Sequence, residues 1–415
     1  MNIYFCGIGG VGLGPLAEIA HDAGYVVSGS DIDASLMTDT LIKRGIAVHV
    51  GPQDGEHLQA SHNTAMIDWL IYTAAVPADH PELVRARLLG IRIAKRDELI
   101  AHIISDKKLK MIAVSGTHGK TTTTGMLIWA CQQLDIPISY SIGTTISFGP
   151  SGQFNPKSEY FIYECDEFDR NFLHFSPYIS LIASLDYDHP DTYPSEREYH
   201  EAFRQFAEQS QQVISWRDQH GELFDDLFQV SQLAATDINP AISLSGVHNR
   251  RNATLVQTAL RRLGFSQETS GILSQFPGTD RRFEKLADNL YSDYGHHPVE
   301  IEATLQLARE LSDHVVLIYQ PHQNIRQHEI CDQYTDQFES ADQVYWLPTY
   351  LSREDPALEI LSPAQLTQHV TNKEHVDVAD FNDELWGSIQ KARESGALVL
   401  AMGAGSIDGW LRSRL

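Results

Sequence analysis

Met111-Ile112-Ala113-Val114-Ser115-Gly116-Thr117-His118-Gly119-Lys120-Thr121-Thr122-Thr123-Thr124 reads as an apolar strand that ends abruptly in Gly-x-x-Gly-Lys-Thr. The next residues, Gly125-Met126-Leu127-Ile128-Trp129-Ala130, have the composition of an apolar helix start. Backbone N–H groups and a lysine then converge at a helix N-terminus, where partial positive charge favours a phosphate chain. The loop is shorter than G-x-x-x-x-G-K-[ST], because Val114 stands where that pattern has its first glycine. A glycine-bounded turn with a surface lysine is the bland alternative. A buried strand feeding Gly-Lys-Thr favours a nucleotide loop instead, with ATP as the expected ligand held at Gly116, Thr117, His118, Gly119, Lys120, Thr121 and Thr122.

The rest of the composition bounds the setting. A chain of 415 residues is long enough for two to four domains, each able to bury its own core. Lys and Arg number 31 against 55 Asp and Glu, a net charge of −24, which argues against nucleic acid or an anionic membrane as the main partner. An anionic substrate must therefore be held by local loops. Cys6, Cys131, Cys165 and Cys331 are scattered without C-x-x-C spacing, as expected of thiols in a reducing cytoplasm. The sequence opens on a strand with no basic leader, and no apolar run approaches the about 18 residues of a membrane span, so a soluble cytoplasmic protein is expected.

Taken in order, Asn2-Ile3-Tyr4-Phe5-Cys6 is a short strand followed by Gly7-Ile8-Gly9-Gly10-Val11-Gly12 and a helical stretch from Leu13 to Gly24. This G-x-G-x-x-G arrangement brings backbone close to a diphosphate, and the strand Tyr25 to Ser30 delivers Asp31 where an acid can meet a ribose hydroxyl. Alone it would suggest a nicotinamide dehydrogenase. The ATP loop downstream weighs against that. A further strand, Trp69 to Pro77, ends in small residues and precedes a helix at His80-Pro81-Glu82-Leu83, completing a Rossmann-like first domain.

After the polar linker Ser105 to Lys110, the strands Ser158–Tyr163 and Tyr178–Ala183 present Glu164-Cys165-Asp166-Glu167 and Asp186, Asp188 and His189 at their ends. Carboxylates and a histidine at neighbouring strand tips beside a phosphate loop suit a hard cation, Mg²⁺. Glu164 and His189 are the leading ligands; Asp166, Asp188 and Asp191 can equally cap turns. The stretch 217–240 carries no functional reading. Asn249 and Asn252 lie three apart on a helix and could share a ligand edge, or act only as caps. Later, Arg281-Arg282-Phe283 and Asp293-Tyr294-Gly295-His296-His297-Pro298 precede a helix, and strands lead into Gln320-Pro321-His322 and Gly403-Ala404-Gly405. Adjacent His296 and His297 would point apart, which favours hydrogen bonding over a shared ion.

Together these segments resemble the Mur ligases, the ATP-dependent amide ligases of peptidoglycan precursor synthesis, over essentially the whole chain. The likeness is carried by Gly7–Gly12, Gly116–Thr121, Gly246-Val247-His248-Asn249-Arg250-Arg251-Asn252-Ala253, Arg281–Phe283, Asp293–Pro298 and Gly403–Gly405, in that order. It implies an α/β fold of three domains: a Rossmann-like UDP-sugar-binding domain over 1–107, a central P-loop ATP-binding domain over 108–275, and a Rossmann-like amino-acid-binding domain over 276–415. It also implies that the carboxylate of UDP-N-acetylmuramate attacks the γ-phosphate of ATP and that the acyl phosphate is then taken by L-alanine. By the same likeness Lys120 neutralises phosphates, and Thr121, Glu164 and His189 hold Mg²⁺. His248, Asn249 and Asn252 meet adenine, while Arg281, Arg282 and Asp293 close on ATP. Gly9, Gly10, Gly12, Asp31 and Thr73 hold the UDP-sugar; His297, His322 and Arg326 hold the amino acid.

Several positions depart from the family pattern. Asp186 replaces Glu, Ser184 replaces Asn and Ser292 replaces Asp. Gln323 stands where the alanine-adding branch has arginine, although Arg326 matches its next arginine. The stretch between Trp216 and Gly246 is short, so a small β extension is expected to be missing. No lysine lies between Lys157 and Lys285, so the carbamylated lysine of enzymes adding later residues has no counterpart. Within the family the expected activity is alanine addition, with tripeptide recycling as the alternative that Gln323 and Asn324 favour. A nicotinamide oxidoreductase and a regulatory phosphate-loop ATPase are the readings outside it.

Overall fold

The computed structural model describes residues 1–73, 76–189, 192–220, 222–265, 267–352 and 354–415. The sequence readings at Ala74, Ala75 and Asp191 lie outside the described residues. The chain forms two compact units, one of Met1–Ile238 with Asn252–Phe276, the other of Asn239–Arg251 with Pro277–Leu415.

The first unit holds two sheets. β1 (Asn2–Cys6), β2 (Val26–Asp31), β3 (Ala47–Val50), β4 (Trp69–Tyr72) and β5 (Arg92–Lys95) form a sheet in the order β3-β2-β1-β4-β5, with every pairing parallel. β6 (Lys110–Ser115), β7 (Ile138–Ser141), β8 (Gly152–Gln153), β9 (Tyr160–Glu164), β10 (Ile179–Ile182), β11 (Val213–Trp216) and β12 (Val230–Leu233) form the second, ordered β12-β11-β10-β6-β9-β7-β8. Only its β7–β8 edge pair is antiparallel.

β6 lies between β10 and β9, and Met111 to Val114 are buried. A central parallel strand covered on both faces must be apolar throughout, which is why it read as a continuous run rather than an alternating one. Its position sends Gly116 and the loop out of the sheet beside the ends of β9 and β10, where the acids emerge. The two sheets share one apolar core, to which Ile3, Phe5 and Leu16 contribute with Ala113, Phe161, Phe172 and Phe203. Polar ties add to it: the Tyr163 hydroxyl donates to Asp97 at 2.5 Å, and Lys95 pairs with Asp169. The stretch 217–240, unread in sequence, supplies a short helix at Arg217–His220, the edge strand β12 and a 3₁₀ turn at Ala235–Asp237.

The second unit is built on one sheet of β13 (Glu284–Ala287), β14 (Leu290–Asp293), β15 (Val315–Tyr319), β16 (Gln343–Trp346), β17 (Val376–Val378) and β18 (Leu398–Met402), ordered β13-β14-β18-β15-β16-β17. β14, β18 and β15 run parallel, so Asp293, Gly403 and Gln320 leave the sheet side by side. Among the described residues no helix is long and apolar enough to cross a membrane.

The 3₁₀ segment Phe168–His174, which carries the chain away from the acids after β9, is anchored by Phe172. That ring is fully buried, with centroids 5.0 Å from Phe203 and 4.8 Å from Phe206. Phe172→Ala is expected to destabilise the first unit by about 3–5 kcal/mol through lost burial and the cavity left behind. Urea unfolding measures this, and a cost below about 1 kcal/mol would contradict the packing described.

Candidate active site

The phosphate loop is shaped by what it passes. Gly116 has φ +128°, and a Cβ there would lie 2.7 Å from the Ser184 carbonyl oxygen, so only glycine lets the loop run against β10's exit. The His118 N–H donates to Ser184 Oγ at 2.7 Å. Thr117 Oγ1 donates to the Asp186 carbonyl at 2.6 Å and lies 2.8 Å from the Tyr199 hydroxyl. Ser184 and Asp186, two departures from the family pattern, thus both brace the loop from the neighbouring strand end.

Lys120 is the centre of the arrangement. Its Nζ donates to the carbonyls of Gly116 and Thr117 at 2.6 and 3.2 Å, and to both oxygens of Glu167 at 2.8 and 2.9 Å. The Glu167 side chain is fully buried. Burial pulls the lysine's pKa down, but the charges of Glu167, Asp166 and Glu164 outweigh it and leave the group raised and protonated. Thr121 Oγ1 donates to Glu164 at 2.7 Å, and the Gly143 N–H fills the other Glu164 oxygen at 2.9 Å. Thr122 follows, half-buried, on the first turn of the helix Lys120–Gln133.

The sequence paired Glu164 with His189 as metal ligands. The structure groups them differently. His189, in a left-handed conformation with φ +58°, lies 3.7 Å from Glu167 and 3.8 Å from Asp188. Ligand atoms of Asp166, Glu167 and His189 all fall within 4.8 Å of one another, while Glu164 is outside that cluster and bonded to Thr121. Burial lowers the His189 pKa, yet the nearby carboxylates of Glu167 and Asp188 leave it raised. Asp166 does cap a turn, accepting the Phe168 N–H at 3.2 Å, and joins the cluster as well. Glu167 is the functional group sequence reasoning missed. It stood in the quoted acidic run, but only the turn after β9 shows that it, rather than Glu164, reaches the lysine.

Asn252 is buried, and its amide atoms lie 3.1 and 3.2 Å from where a Cβ on Gly119 would be, which puts it against the phosphate loop. Asn249 instead donates to the Ser245 carbonyl at 3.0 Å, a local helix-end bond. The two amides read as sharing an edge therefore have different neighbours. His248 is half-buried, and desolvation pushes its pKa down to about 4.

At the first glycine loop, Asp31 Oδ2 accepts the Gly9 N–H at 2.7 Å, and the Gly10 N–H donates to Gly7 at 3.1 Å. Asp31 was expected to meet a ribose; one of its oxygens is spent on holding the loop. Gly12 is half-buried beside Arg96, and Thr73 follows β4.

In the second unit Asp293 is a structural hub. Its two oxygens accept the N–H groups of Phe283 and Gly295 at 2.7 Å each, and burial raises its pKa to about 6. Arg281, at φ +57°, donates to the Gly403 carbonyl at 2.9 Å and lies over the Tyr294 ring. Arg282 lies 3.4 Å from Glu300 and also flanks Tyr294. Ser292 donates to Asp408 at 2.7 Å. His297 caps the helix Pro298–Leu311 by accepting the Val299 N–H at 3.4 Å, a structural use that the amino-acid-binding expectation did not include. His296 does point elsewhere, with Nε2 against Arg326. The His322 ring stacks on Tyr350 at 5.6 Å and lies 5.3 Å from His296. Burial, then the charge of Arg326, pushes His296 down to about 3 and His322 to about 4.

Three descriptions match along the chain: "Mur ligase family, catalytic domain" over residues 2–108, "Mur ligase middle domain" over 114–239, and "Mur ligase, glutamate ligase domain" over 281–405. A UDP-N-acetylmuramate–L-alanine ligase of Porphyromonas gingivalis W83 is 32% identical over 449 aligned residues, covering 98% of this chain and 96% of the relative. The crystal structure of UDP-N-acetylmuramate–alanine ligase MurC from Thermotoga maritima superposes with a TM-score of 0.74 at 26% identity, covering 100% of this chain and 98% of that one. A murein peptide ligase of Psychrobacter arcticus follows with a TM-score of 0.64 at 23% identity, covering 100% and 98%, a likeness of fold alone.

The neutral histidines set a pH dependence for the second unit. His248, His296 and His322 have folded pKa values of about 4, 3 and 4, below the unfolded value of about 6.5. Their stabilisation is complete above pH 6.5 and is lost as pH falls towards 4. Asp293, raised to about 6, works in the opposite sense over part of that window, as one group against three. The urea midpoint of this unit is expected to fall on acidification from pH about 6.5 to 4, with His248→Asn reducing the slope by roughly one proton. An unchanged slope would mean that this imidazole is charged in the fold.

Proposed function

The chain belongs to the Mur ligase family, and from that premise we propose that it joins L-alanine to UDP-N-acetylmuramate in the cytoplasm, converting ATP to ADP and phosphate. The observation that carries this reading is Lys120, held at the phosphate loop between two carbonyls and the buried Glu167, beside a cluster of oxygen and nitrogen ligands.

In the reaction, a lactyl carboxylate oxygen attacks the γ-phosphorus and ADP leaves. The amine nitrogen of alanine then attacks the acyl carbon, phosphate leaves, and the nitrogen gives up its protons to solvent or a nearby base. Charge compensation is the main demand on the protein. Lys120 supplies it at the β/γ-phosphates. The donor set fits Mg²⁺: Asp166, Glu167 and His189 converge within 4.8 Å, and Thr121 with Glu164 offers a second oxygen pair. When bound, Mg²⁺ would offset negative charge on the phosphates and the carboxylate. By the family likeness, His248, Asn249 and Asn252 are assigned to the adenine. Arg281, Arg282 and Asp293 are assigned to the ATP-facing loop of the second unit. The first glycine loop, Gly9, Gly10 and Gly12, is assigned to the UDP diphosphate, with Asp31 and Thr73 beside it. His322 and Arg326 are assigned to alanine, with His297 shaping that loop.

The tripeptide alternative rested on Gln323 and Asn324. Asn324 is 1% exposed and uses its amide to hold the Glu359 carbonyl and the Leu361 N–H, both at 2.9 Å, so it reports on loop structure. Gln323 remains the specificity position.

Phosphate release from ATP is expected only with UDP-N-acetylmuramate and L-alanine together, with glycine, L-serine and the tripeptide as competing amines. Turnover that ignores the sugar nucleotide would sink the ligase reading. Lys120→Ala is expected to lower kcat by roughly 10²–10³-fold or more, and a near-normal rate would remove its assigned role. Gln323→Arg should alter the choice among amines; the same ranking in both proteins would move specificity to another residue.

A further inference from the structure

Arg96 has no role in the motifs considered so far. It is the first residue of the helix Arg96–Asp106, directly after β5. A methyl group built on Gly12 would lie 3.4 Å from Arg96 Nη1 and 4.0 Å from its Cδ. The guanidinium therefore runs alongside the last glycine of the first loop, in van der Waals reach of a side chain at that position.

Among the described residues its protein partners leave the fork of donors largely unused. Asp97 Oδ1 is 3.5 Å from Nη2, longer than a hydrogen bond, and the same oxygen already accepts the Tyr163 hydroxyl at 2.5 Å. The side chain is about a third exposed, at 32%. On its inner side it interacts electrostatically with Tyr163, Asp97, Asp166 and Cys165, the last of these on the run that leaves β9. The cation thus stands between the first glycine loop and the acids near Lys120.

The glycine loop needs such a charge. Gly9's N–H is taken by Asp31 and Gly10's by the Gly7 carbonyl, so two donors of the loop are already spent. Asp31 also adds a carboxylate to the loop, in a chain whose net charge is −24. A diphosphate brought there meets negative potential unless a local cation offsets it. A planar guanidinium with several parallel donors matches two phosphate oxygens at once.

We propose that Arg96 binds the diphosphate of the sugar nucleotide beside Gly12, donating charge-assisted hydrogen bonds to its phosphate oxygens; the inference rests on the ligase reading above. The competing role is purely structural, a counter-charge for Asp97 and Asp166. The two roles separate in binding. Calorimetric titration of the full chain with UDP, with uridine and with ATP, alongside thermal melting, makes the comparison for wild type, Arg96→Ala and Arg96→Lys.

Arg96→Ala is expected to weaken UDP roughly 10- to 100-fold, with ATP within about 2-fold and uridine unchanged. Arg96→Lys should fall between, since lysine keeps the charge but loses the fork. UDP affinity preserved in a folded Arg96→Ala protein, or a loss shared equally with ATP, overturns the proposal. If the alanine variant does not fold, the lysine variant decides: a roughly 3- to 10-fold loss confined to UDP supports the contact, and wild-type affinity overturns it. Failure of the wild-type chain to bind UDP at all would overturn the ligase reading, and this inference with it.

Discussion

The phosphate-loop end of the first unit depends on one buried ion pair, Lys120 with Glu167. A lysine this enclosed would be costly to keep charged on its own, by several kcal/mol, and an unpaired buried carboxylate equally so. Each is tolerable because the other is present and because loop carbonyls share the ammonium. The geometry is then held from outside. Tyr193 donates to the Glu167 carbonyl at 2.5 Å, its ring packs edge-on against Tyr199, and the Tyr199 hydroxyl meets Thr117 of the phosphate loop. Asp169 and Arg170 adopt left-handed φ values of 54° and 56° so that the chain can turn away directly after Glu167. That strain persists only where surrounding contacts over-determine it.

A pre-paired lysine also explains how an acidic protein accommodates a polyanion. Screening at physiological salt confines electrostatic influence to about 8 Å, so the net charge matters less than the groups lining the loop. On the proposed reading, a phosphate arriving at Lys120 would meet an ammonium that is already charged, so the lysine need not change its protonation state. On the same reading, Asp166 and Glu167 beside it, with His189, would be available to a divalent cation that travels with the nucleotide. Local charge balance, rather than overall charge, decides what binds.

Much of the fold was legible in the sequence because parallel strands buried on both faces leave continuous apolar runs, and glycine marks where each run must turn. Met111–Val114, Val315–Tyr319 and Leu398–Met402 are of this kind. The choice of side-chain partner was less legible. Glu164 and Glu167 are the same residue type three positions apart, and which one reaches Lys120 depends on the turn after β9. His297 carries the chemistry of a ligand and serves as a helix cap. Asp31 sits at the position of a ribose acid and spends an oxygen on Gly9. Arg96 gave no sequence signal, since its neighbour Gly12 is remote in the chain and meets it only once the first sheet is assembled.

The loop after β15 in the second unit separates backbone geometry from side-chain chemistry. Gln323 has φ +59° and ψ +118°, a sparsely populated positive-φ conformation that costs a non-glycine residue about 1–3 kcal/mol. It is held there by backbone: the Gln323 N–H donates to the Tyr350 carbonyl and the Tyr350 N–H to the Pro321 carbonyl, both at 2.8 Å. The His322 ring stacked on Tyr350 adds to the same clasp. None of these bonds involves the side chain at position 323. The backbone therefore sets where that side chain starts, whether it is glutamine or the arginine found in the alanine-adding branch. A change between them alters charge and reach without moving the loop, which makes position 323 a chemical variable on a fixed mount.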